Sequence, residues 1–233
     1  MVAQRAETGG IVVQEPTRAK SPGPAGRGED LWAAVAALDK AMFADTGWFA
    51  IGADNRRLAG VVVPSLAAGL RLVDEPGVRV ALVGRLRPGL WVVDVDVPGE
   101  RGWAIAEQIS SWCQPRDVWH LVRPSGGADG RCHVFVAAGD RVDELQDLVV
   151  DLRRRWKAGA NLIDLRDTVR PLSSPHRATG HRTLPQGLTS VAAVRVQLRQ
   201  LEAALRLAPT LTPGRRRRSR RQPVTALVPR PRP

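Results

Sequence analysis

Two aspartates stand two residues apart in the apolar, β-branched run Leu90–Val97, which Pro98 and Gly99 bring to an end. Alternate residues of a strand project from the same face, so the carboxylates of Asp94 and Asp96 can converge. Like charges repel, and burying them together is unfavourable unless a cation neutralises them. Because carboxylate oxygens are ligands for Mg²⁺ and Mn²⁺, the spacing predicts a divalent-metal site. The same pattern also fits an edge strand with two solvated aspartates.

A glycine-rich turn further along the chain leads into a histidine. The candidate phosphate ligands of this segment are Ser125, Gly126, Gly127, Arg131 and His133. Glycines at this density let backbone N–H groups approach a phosphate closely, and a histidine that enters the next strand can reach the same anion. A hairpin turn without a ligand, followed by a structural histidine, is the alternative interpretation.

A third element begins with Asp164, which interrupts the apolar segment 161–165. The loop that follows is rich in Arg, Ser and His, and Arg170, Ser174 and His176 are candidates to hold a triphosphate by charge-assisted hydrogen bonds. Taken singly, Asp164 also fits a surface residue or a turn cap, and Arg170 and His176 have equally ordinary explanations.

The elements that must position these residues alternate between two patterns. Apolar residues at helical spacing predict helices over 29–42, 103–112, 142–157 and 190–207. Short apolar and β-branched runs predict strands over 60–63, 78–83, 90–97, 117–123, 133–137 and 161–165. The alternation predicts a sheet covered by helices, in the α/β or α+β class, and it is also compatible with a doubly wound fold.

Composition divides the chain into four predicted segments. They are a disordered leader (1–28), a catalytic domain (29–186), a C-terminal amphipathic helix (187–210) and a disordered Arg/Pro-rich basic tail (211–233). The tail arginines are predicted to bind nucleic-acid phosphates without sequence preference: Arg215, Arg216, Arg217, Arg218, Arg220 and Arg221. A solvated tail that serves localisation or a protein contact is the alternative.

The charge balance favours an anionic partner. Lys and Arg total 35 against 23 Asp and Glu, a formal charge of +12, which makes nucleic acid the first partner to consider. No apolar run approaches the roughly 18 residues that a membrane span needs, so no membrane partner is expected. The two cysteines, without a CxxC pair or a secretory signal, indicate a cytoplasmic chain without a disulfide framework.

The seven tryptophans are mostly expected in the core. Trp32 and Trp48 have a second interpretation, because an accessible indole ring can stack on a base of single-stranded template.

Taken in order, the acidic pair, the turn with its histidine and the lone strand aspartate resemble the motifs of the archaeo-eukaryotic primase superfamily. This superfamily includes the primase-polymerases of plasmids and phages and the polymerase domains of bacterial end-joining ligases. Its acidic pair, small-x-His element and hydrophobic-Asp element look matched by Asp94 with Asp96, by His133 and by Asp164. The resemblance covers roughly residues 80–180. The family commonly has Ser two residues before the motif histidine, where Arg131 stands here.

The resemblance implies an α+β fold, in which an RRM-like antiparallel sheet with helices follows a smaller αβ unit that begins near Glu29. It implies a DNA primase/polymerase, a metal-dependent and template-directed nucleotidyltransferase for replication or repair. Asp94, Asp96 and Asp164 would hold two Mg²⁺ or Mn²⁺ ions, and His133 would bind the phosphates of the incoming nucleotide. The implied partners are single-stranded or primed DNA, nucleoside triphosphates and a separately encoded helicase.

Two functions from other classes remain open. The first is a non-catalytic, primase-like replication initiator or accessory protein that only holds DNA or nucleotide. Three strand carboxylates have no use in a purely anion-binding surface, which argues against it. The second is a nucleotide-sugar glycosyltransferase, in which an acidic pair holds Mn²⁺ and a diphosphate; the downstream His and Asp elements and the basic tail argue against that one.

Overall fold

The computed structural model describes residues 11–12, 27–75 and 77–207. The helices in these ranges are α1 Arg27–Met42, α2 Leu66–Val73, α3 Glu100–Cys113, α4 Val142–Trp156 and α5 Val191–Leu207. The strands are β1 Ile11–Val12, β2 Phe49–Gly52, β3 Val61–Val62, β4 Val80–Arg85, β5 Trp91–Val95, β6 His120–Pro124, β7 Cys132–Val136, β8 Ile163–Arg166 and β9 Thr168–Val169. The fold is α+β, with two small antiparallel sheets.

The larger sheet has four antiparallel strands in the order β6-β7-β5-β8. Its strands follow along the chain as β-α-β-β-α-β, with α3 after β5 and α4 after β7. Both helices cover one face, where Ile105 and Leu145 pack with Val93 and Val95 in a buried cluster. Since side chains alternate along a strand, this burial turns the even-numbered residues of β5 to the opposite face.

The smaller sheet has the order β2-β4-β9 and packs with α1, α2 and α5 in a second buried cluster. Val194 and Leu201 of α5 lie in the same cluster as Leu38 and Met42 of α1, so the C-terminal helix belongs to the core. Val92 and Phe135 of the larger sheet join it too. The two sheets are therefore connected through one apolar core on the side that the acidic residues face.

Most of the predicted elements are confirmed, with bounds that move by a few residues. Four elements were not predicted from the sequence: β1, which lies within the predicted disordered leader, and β2, β9 and α2. The helix α2 has a local signal, because Ser65 caps it by accepting a hydrogen bond from the Ala68 N–H (3.2 Å). Most of the predicted leader (1–10 and 13–26), the end of the predicted C-terminal helix (208–210) and the whole predicted tail (211–233), with its arginines, lie outside the described residues. The first helix starts at Arg27, two residues before the predicted start.

None of the helices in the described ranges has the length and apolar character needed to cross a bilayer.

Candidate active site

A cleft of about 610 Å³ lies between the two sheets. Its walls come from β2, β4 and β9 on one side and from β5, β7 and the 125–131 turn on the other. Many of the residues predicted from the sequence line it: Asp94, Asp96, Ser125, Gly127, Arg131, His133, Arg170 and His176. Such a volume is typical of sites for small organic ligands. The structure thus brings residues from three separate sequence elements into one space.

Strand register aligns the three predicted motifs in one row across the larger sheet. Asp94 of β5 pairs with His133 of β7 on one side and with Asp164 of β8 on the other. His133 in turn pairs with Arg123 of β6, which extends the row to all four strands. Residues in such a row project from the same face, with Cβ atoms of neighbours about 5 Å apart. Asp96 lies on the same face, two residues along β5.

Asp94 is more buried than Asp164: its side chain is 12 % exposed, against 37 % for that of Asp164. One carboxylate oxygen lies 2.7 Å from Arg166 Nη1 and the other 3.5 Å from His133 Nε2. Burial raises the pKa of Asp94 to about 6, the Arg166 charge opposes this shift, and the charges of Asp96 and Asp164 add to it. The ionised carboxylate is therefore held in a site where its negative charge is incompletely compensated.

Asp164 lies beside Asp94 in the register, but its carboxylate does not line the cleft. Arg153 Nη2 approaches one oxygen at 3.1 Å, and Arg166 Nε approaches the other at 3.0 Å. Arg166 therefore bridges Asp94 and Asp164. Among the described residues, no group of three or more His, Cys, Asp or Glu side chains has the arrangement of a metal site.

The surroundings of His133 favour the neutral form of its imidazole. Burial lowers its pKa well below the usual value, and the surrounding charges of Arg170, Arg123 and Arg166 act in the same direction. Its Nδ1 atom is buried without a hydrogen-bond partner in the described part of the chain. A neutral histidine in this position can bind a phosphate as an N–H donor, and it supplies no positive charge to the site.

The glycine-rich turn forms one rim of the cleft. Ser125 Oγ accepts a hydrogen bond from the Gly127 N–H (3.3 Å), and the Ser125 N–H donates to the Arg131 carbonyl oxygen (2.8 Å). Gly126 does not line the cleft and packs against His176, where a Cβ would lie 3.2 Å from the histidine Cβ. The turn is thus closed on itself and attached to the loop on the far side of the cleft.

Close backbone contact fixes the turn to the start of α3. Gly130 has a φ of +80°, and a Cβ on it would lie 2.1 Å from the Gly99 carbonyl oxygen. The Gly99 N–H donates to the Asp129 carbonyl oxygen at 2.7 Å. Only glycine fits such an approach of two backbones.

A Gly130→Ala substitution should therefore lower the free energy of unfolding by at least about 2 kcal/mol, from left-handed strain and backbone overlap together. Urea denaturation measures this directly. Gly180→Ala is a matched control, because Gly180 also has a positive φ (+72°) and a Cβ there meets nothing within 4 Å. Equal losses in the two variants would show that contact with Gly99 is not responsible.

Two fully buried charged side chains, Arg123 and Asp39, hydrogen-bond to the backbone of the loop after β9. The Arg123 guanidinium donates to four loop carbonyl oxygens at 2.9–3.2 Å, those of Arg170, Pro171, Leu172 and Ser174. The Asp39 carboxylate accepts from the Leu172 N–H (2.7 Å), the Ser173 N–H (2.8 Å) and the Ser173 hydroxyl (2.5 Å). The loop backbone therefore has a fixed conformation where it reaches the cleft.

Two of the predicted triphosphate ligands take part in this packing. Ser174 is fully buried, its hydroxyl accepts from the Leu82 N–H (3.1 Å), and it does not line the cleft. Arg170 lines the cleft but is 7 % exposed, and its guanidinium donates to the carbonyl oxygens of Ser174 and Ser125. His176 lines the cleft, and its Nδ1 accepts from the Thr179 N–H (3.3 Å).

Comparison with known proteins adds nothing to this geometry. The chain matches no protein-family model, no curated protein and no solved structure. What the cleft can bind is therefore derived from its own side chains.

Sequence analysis missed several residues of the site. Arg166 and Arg177 line the cleft, and Arg166 had a usable signal, because it stands two residues after Asp164 and so shares its face. Asp39 had no local sequence signal, since its hydrogen-bond partners lie on a loop that is remote in sequence. The stacking hypothesis for Trp48 is wrong: the ring is 5 % exposed and packs against Phe43 and the backbone of Gly84. Trp32 does not line the cleft and lies under the Arg182 guanidinium.

Proposed function

We propose that this protein is a metal-dependent, template-directed nucleotidyltransferase of the primase-polymerase type. The observation that carries the proposal is the register row, in which His133, Asp94 and Asp164 occupy paired positions of three adjacent strands. The β-α-β-β-α-β connectivity supports it as well, because RRM-like and ferredoxin-like sheets are built from this split βαβ arrangement. The smaller sheet with α1 and α2 would correspond to the N-terminal αβ unit of that fold.

The carboxylates fit a divalent cation. Asp94 and Asp96 present hard oxygen donors to one cleft, and burial raises the pKa of Asp94 although Arg166 opposes the shift, which favours a further cation beside it. Asp94 and Asp96 would hold Mg²⁺ or Mn²⁺, and Asp164, whose carboxylate pairs with Arg153 and Arg166 outside the cleft, would complete a two-ion site once Arg166 leaves it. Bound there, the ions would activate a 3′-hydroxyl and stabilise charge on the α-phosphate and the leaving pyrophosphate. Arg166 would exchange its carboxylate partners for phosphate oxygens as substrate enters.

The basic part of the cleft would bind the triphosphate. Arg131, Arg177 and His176 line it together with the neutral His133, next to the acidic pair. Guanidinium groups bind phosphate oxygens in bidentate geometry, and His133 would add one N–H donor without adding charge. The fixed loop below Arg170 would keep these groups in place without a conformational change. Nucleoside triphosphates are therefore the substrates we propose.

The template would be single-stranded or primed DNA. Arginines of the tail, Arg215 to Arg221, would contact its phosphates through counterion release, with steep salt dependence. A separately encoded helicase would supply unwound DNA, and a cytoplasmic location would suit all of these partners.

A non-catalytic protein that holds nucleotide or DNA is the second candidate. The observation that favours it is Arg166, which already forms salt bridges with both Asp94 (2.7 Å) and Asp164 (3.0 Å). A permanent arginine in this position would replace the metal and leave a binding site without catalysis. The two candidates differ in whether a divalent ion is required.

The deciding experiment is a synthesis assay. The full chain is incubated with single-stranded template, all nucleoside triphosphates and Mn²⁺ or Mg²⁺, with and without a primer. We expect metal-dependent product from the wild-type chain and none from an Asp94→Ala/Asp96→Ala variant. The primer requirement distinguishes priming from extension.

The matched control is Asp143→Ala/Asp147→Ala, which removes the same two charges from the exposed face of α4. It should synthesise product at the wild-type rate. Absence of product from the wild-type chain under every condition, with DNA or nucleotide still bound, would support the non-catalytic candidate.

A further inference from the structure

The wall of the cleft opposite the acidic row is apolar. Phe49 and Ile51 of β2 are half-buried and line the cleft, while Ala50 between them lies in the core. Phe49 pairs with Val83 of β4, and Ile51 pairs with Ala81; both partners line the cleft too. Phe49 and Ile51 thus form an apolar patch of the cleft wall, with the buried Val83 and Ala81 as their cross-strand neighbours.

Phe49 differs from the other phenylalanines of the chain. Phe43 is 1 % exposed and Phe135 is fully buried, and both belong to the core cluster. Phe49 is half-buried at the cleft and lies outside that cluster. A phenyl ring that keeps an accessible surface inside a polar cleft loses part of the free energy that full burial would give. The Phe49 ring therefore leaves apolar surface that a ligand in the cleft can cover.

A charged side chain packs over this ring. The Arg57 guanidinium carbon lies 5.2 Å from the centroid of the Phe49 ring, within cation–π distance. A bridge between Ile51 and Arg57 closes the hairpin that places it there. Asn55, at the tip of this hairpin with a φ of 65°, also lines the cleft. The Phe49 ring therefore packs against a cation that does not itself line the cleft, and Asn55 of the same hairpin reaches the cleft.

We propose that Phe49, with Ile51, Asn55 and Arg57, forms a stacking site for a nucleobase; this inference rests on the proposed function. A base has flat apolar faces and a polar edge, which match the Phe49 ring and the Asn55 amide. The charged residues on the other side of the same cleft would bind the phosphates and the metal. Aromatic stacking accepts any base, since every base has a π face, so the site would contribute affinity rather than sequence choice.

The base could belong to the incoming nucleotide or to the template strand. Both present the same chemistry to Phe49, and two pairs of probes separate them. ATP and inorganic tripolyphosphate, each with Mn²⁺, differ in the nucleoside alone. A labelled oligothymidylate and an abasic oligomer of equal length differ in the bases alone. The affinities of the first pair are measured by calorimetry and those of the second pair by fluorescence anisotropy, both with the full chain.

Phe49→Leu keeps an apolar side chain and removes the ring, and Phe49→Trp keeps an aromatic face. We expect Phe49→Leu to weaken binding of one base-containing probe by about tenfold, while its base-free partner binds as before. Phe49→Trp should bind like the wild-type chain. Thermal melting of both variants within about 3 °C of the wild type confirms that the fold is intact.

Each outcome has one meaning. A tenfold loss with ATP assigns the site to the incoming nucleotide, and a loss with oligothymidylate assigns it to the template. Unchanged affinity of folded Phe49→Leu for both probes overturns the stacking site and leaves the proposed function intact. Failure of the wild-type chain to bind ATP or DNA at all overturns both.

Discussion

An Asp94→Asn variant should lose metal-dependent synthesis by at least about 1000-fold and yet be more stable than the wild-type chain at neutral pH. Burial raises the pKa of Asp94 from 3.8 to about 6, with Arg166 opposing and with Asp96 and Asp164 adding to the shift. This difference corresponds to roughly 3 kcal/mol, the cost of ionising the carboxyl in the folded chain. That cost already includes the attraction of Arg166, and asparagine is an imperfect substitute for the protonated carboxyl, so we expect a gain of about 1–2 kcal/mol.

The pH dependence has a defined sign. Between about pH 4 and pH 6 the folded carboxyl of Asp94 keeps a proton that the unfolded chain has released, so stability falls as pH rises through this window. Above this pH window the free-energy cost of ionising Asp94 no longer changes with pH. Urea denaturation at pH 4.5 and pH 7.5 should show a smaller fall for Asp94→Asn than for the wild-type chain. The remaining fall includes Asp39, whose pKa burial also raises.

Divalent metal tests the same carboxylate without any activity assay. Mn²⁺ should raise the melting temperature of the wild-type chain at pH 7.5, because a ligand that binds only the folded state stabilises it. It should have much less effect on Asp94→Asn. Asp147→Asn, exposed on α4, is the control and should respond like the wild type. If Asp94→Asn is the less stable protein and Mn²⁺ shifts neither melting curve, Asp94 serves Arg166 as a structural partner and the metal proposal fails.

The sequence predicts the larger sheet well because its strands have strong local patterns. The run around Asp94 is β-branched and ends at Pro98 and Gly99, and β7 follows a turn of glycines. β2 and β9 are short, and β9 is only Thr168–Val169, so their local patterns are weak and pairing with β4 defines them. Local sequence patterns do not predict the order of the strands in the sheet either, because that order depends on which strands pair in space.

The residues of the candidate site differ in the same way in how far local sequence predicts their positions. Spacing within one strand predicts that Asp94 and Asp96 share a face, and this is confirmed by their common place in the cleft. Contacts between distant segments are not predictable in this way. From the sequence alone, Arg123 looks like an ordinary arginine at the end of a strand. In the fold it is fully buried beneath a loop that follows some fifty residues further along the chain. Which carbonyl groups it meets depends on the fold of the whole chain.

That buried arginine is the basis of the last prediction: Arg123→Met should lower the free energy of unfolding by about 3–5 kcal/mol. Methionine fills a similar volume but removes the donor to the loop carbonyl oxygens of Arg170 and Leu172. The carbonyl oxygens of Pro171 and Ser174 each lose one of two donors. Each buried polar group that loses its partner costs about 1–3 kcal/mol. The Asp39 carboxylate also loses the positive charge that lowers its pKa. Chemical denaturation measures the loss, and Arg199→Met on the exposed face of α5 should cost little.

A double variant separates loss of the arginine from loss of the network. Asp39→Asn leaves at least one backbone N–H of the loop without an acceptor, so it should be strongly destabilising by itself. If Arg123 and Asp39 hold the loop as a unit, Asp39→Asn/Arg123→Met should be less destabilising than the sum of the single variants by at least about 1 kcal/mol. Additive losses would mean that each side chain holds its own part of the loop. An Arg123→Met loss below about 1 kcal/mol would mean that the loop conformation does not depend on the arginine.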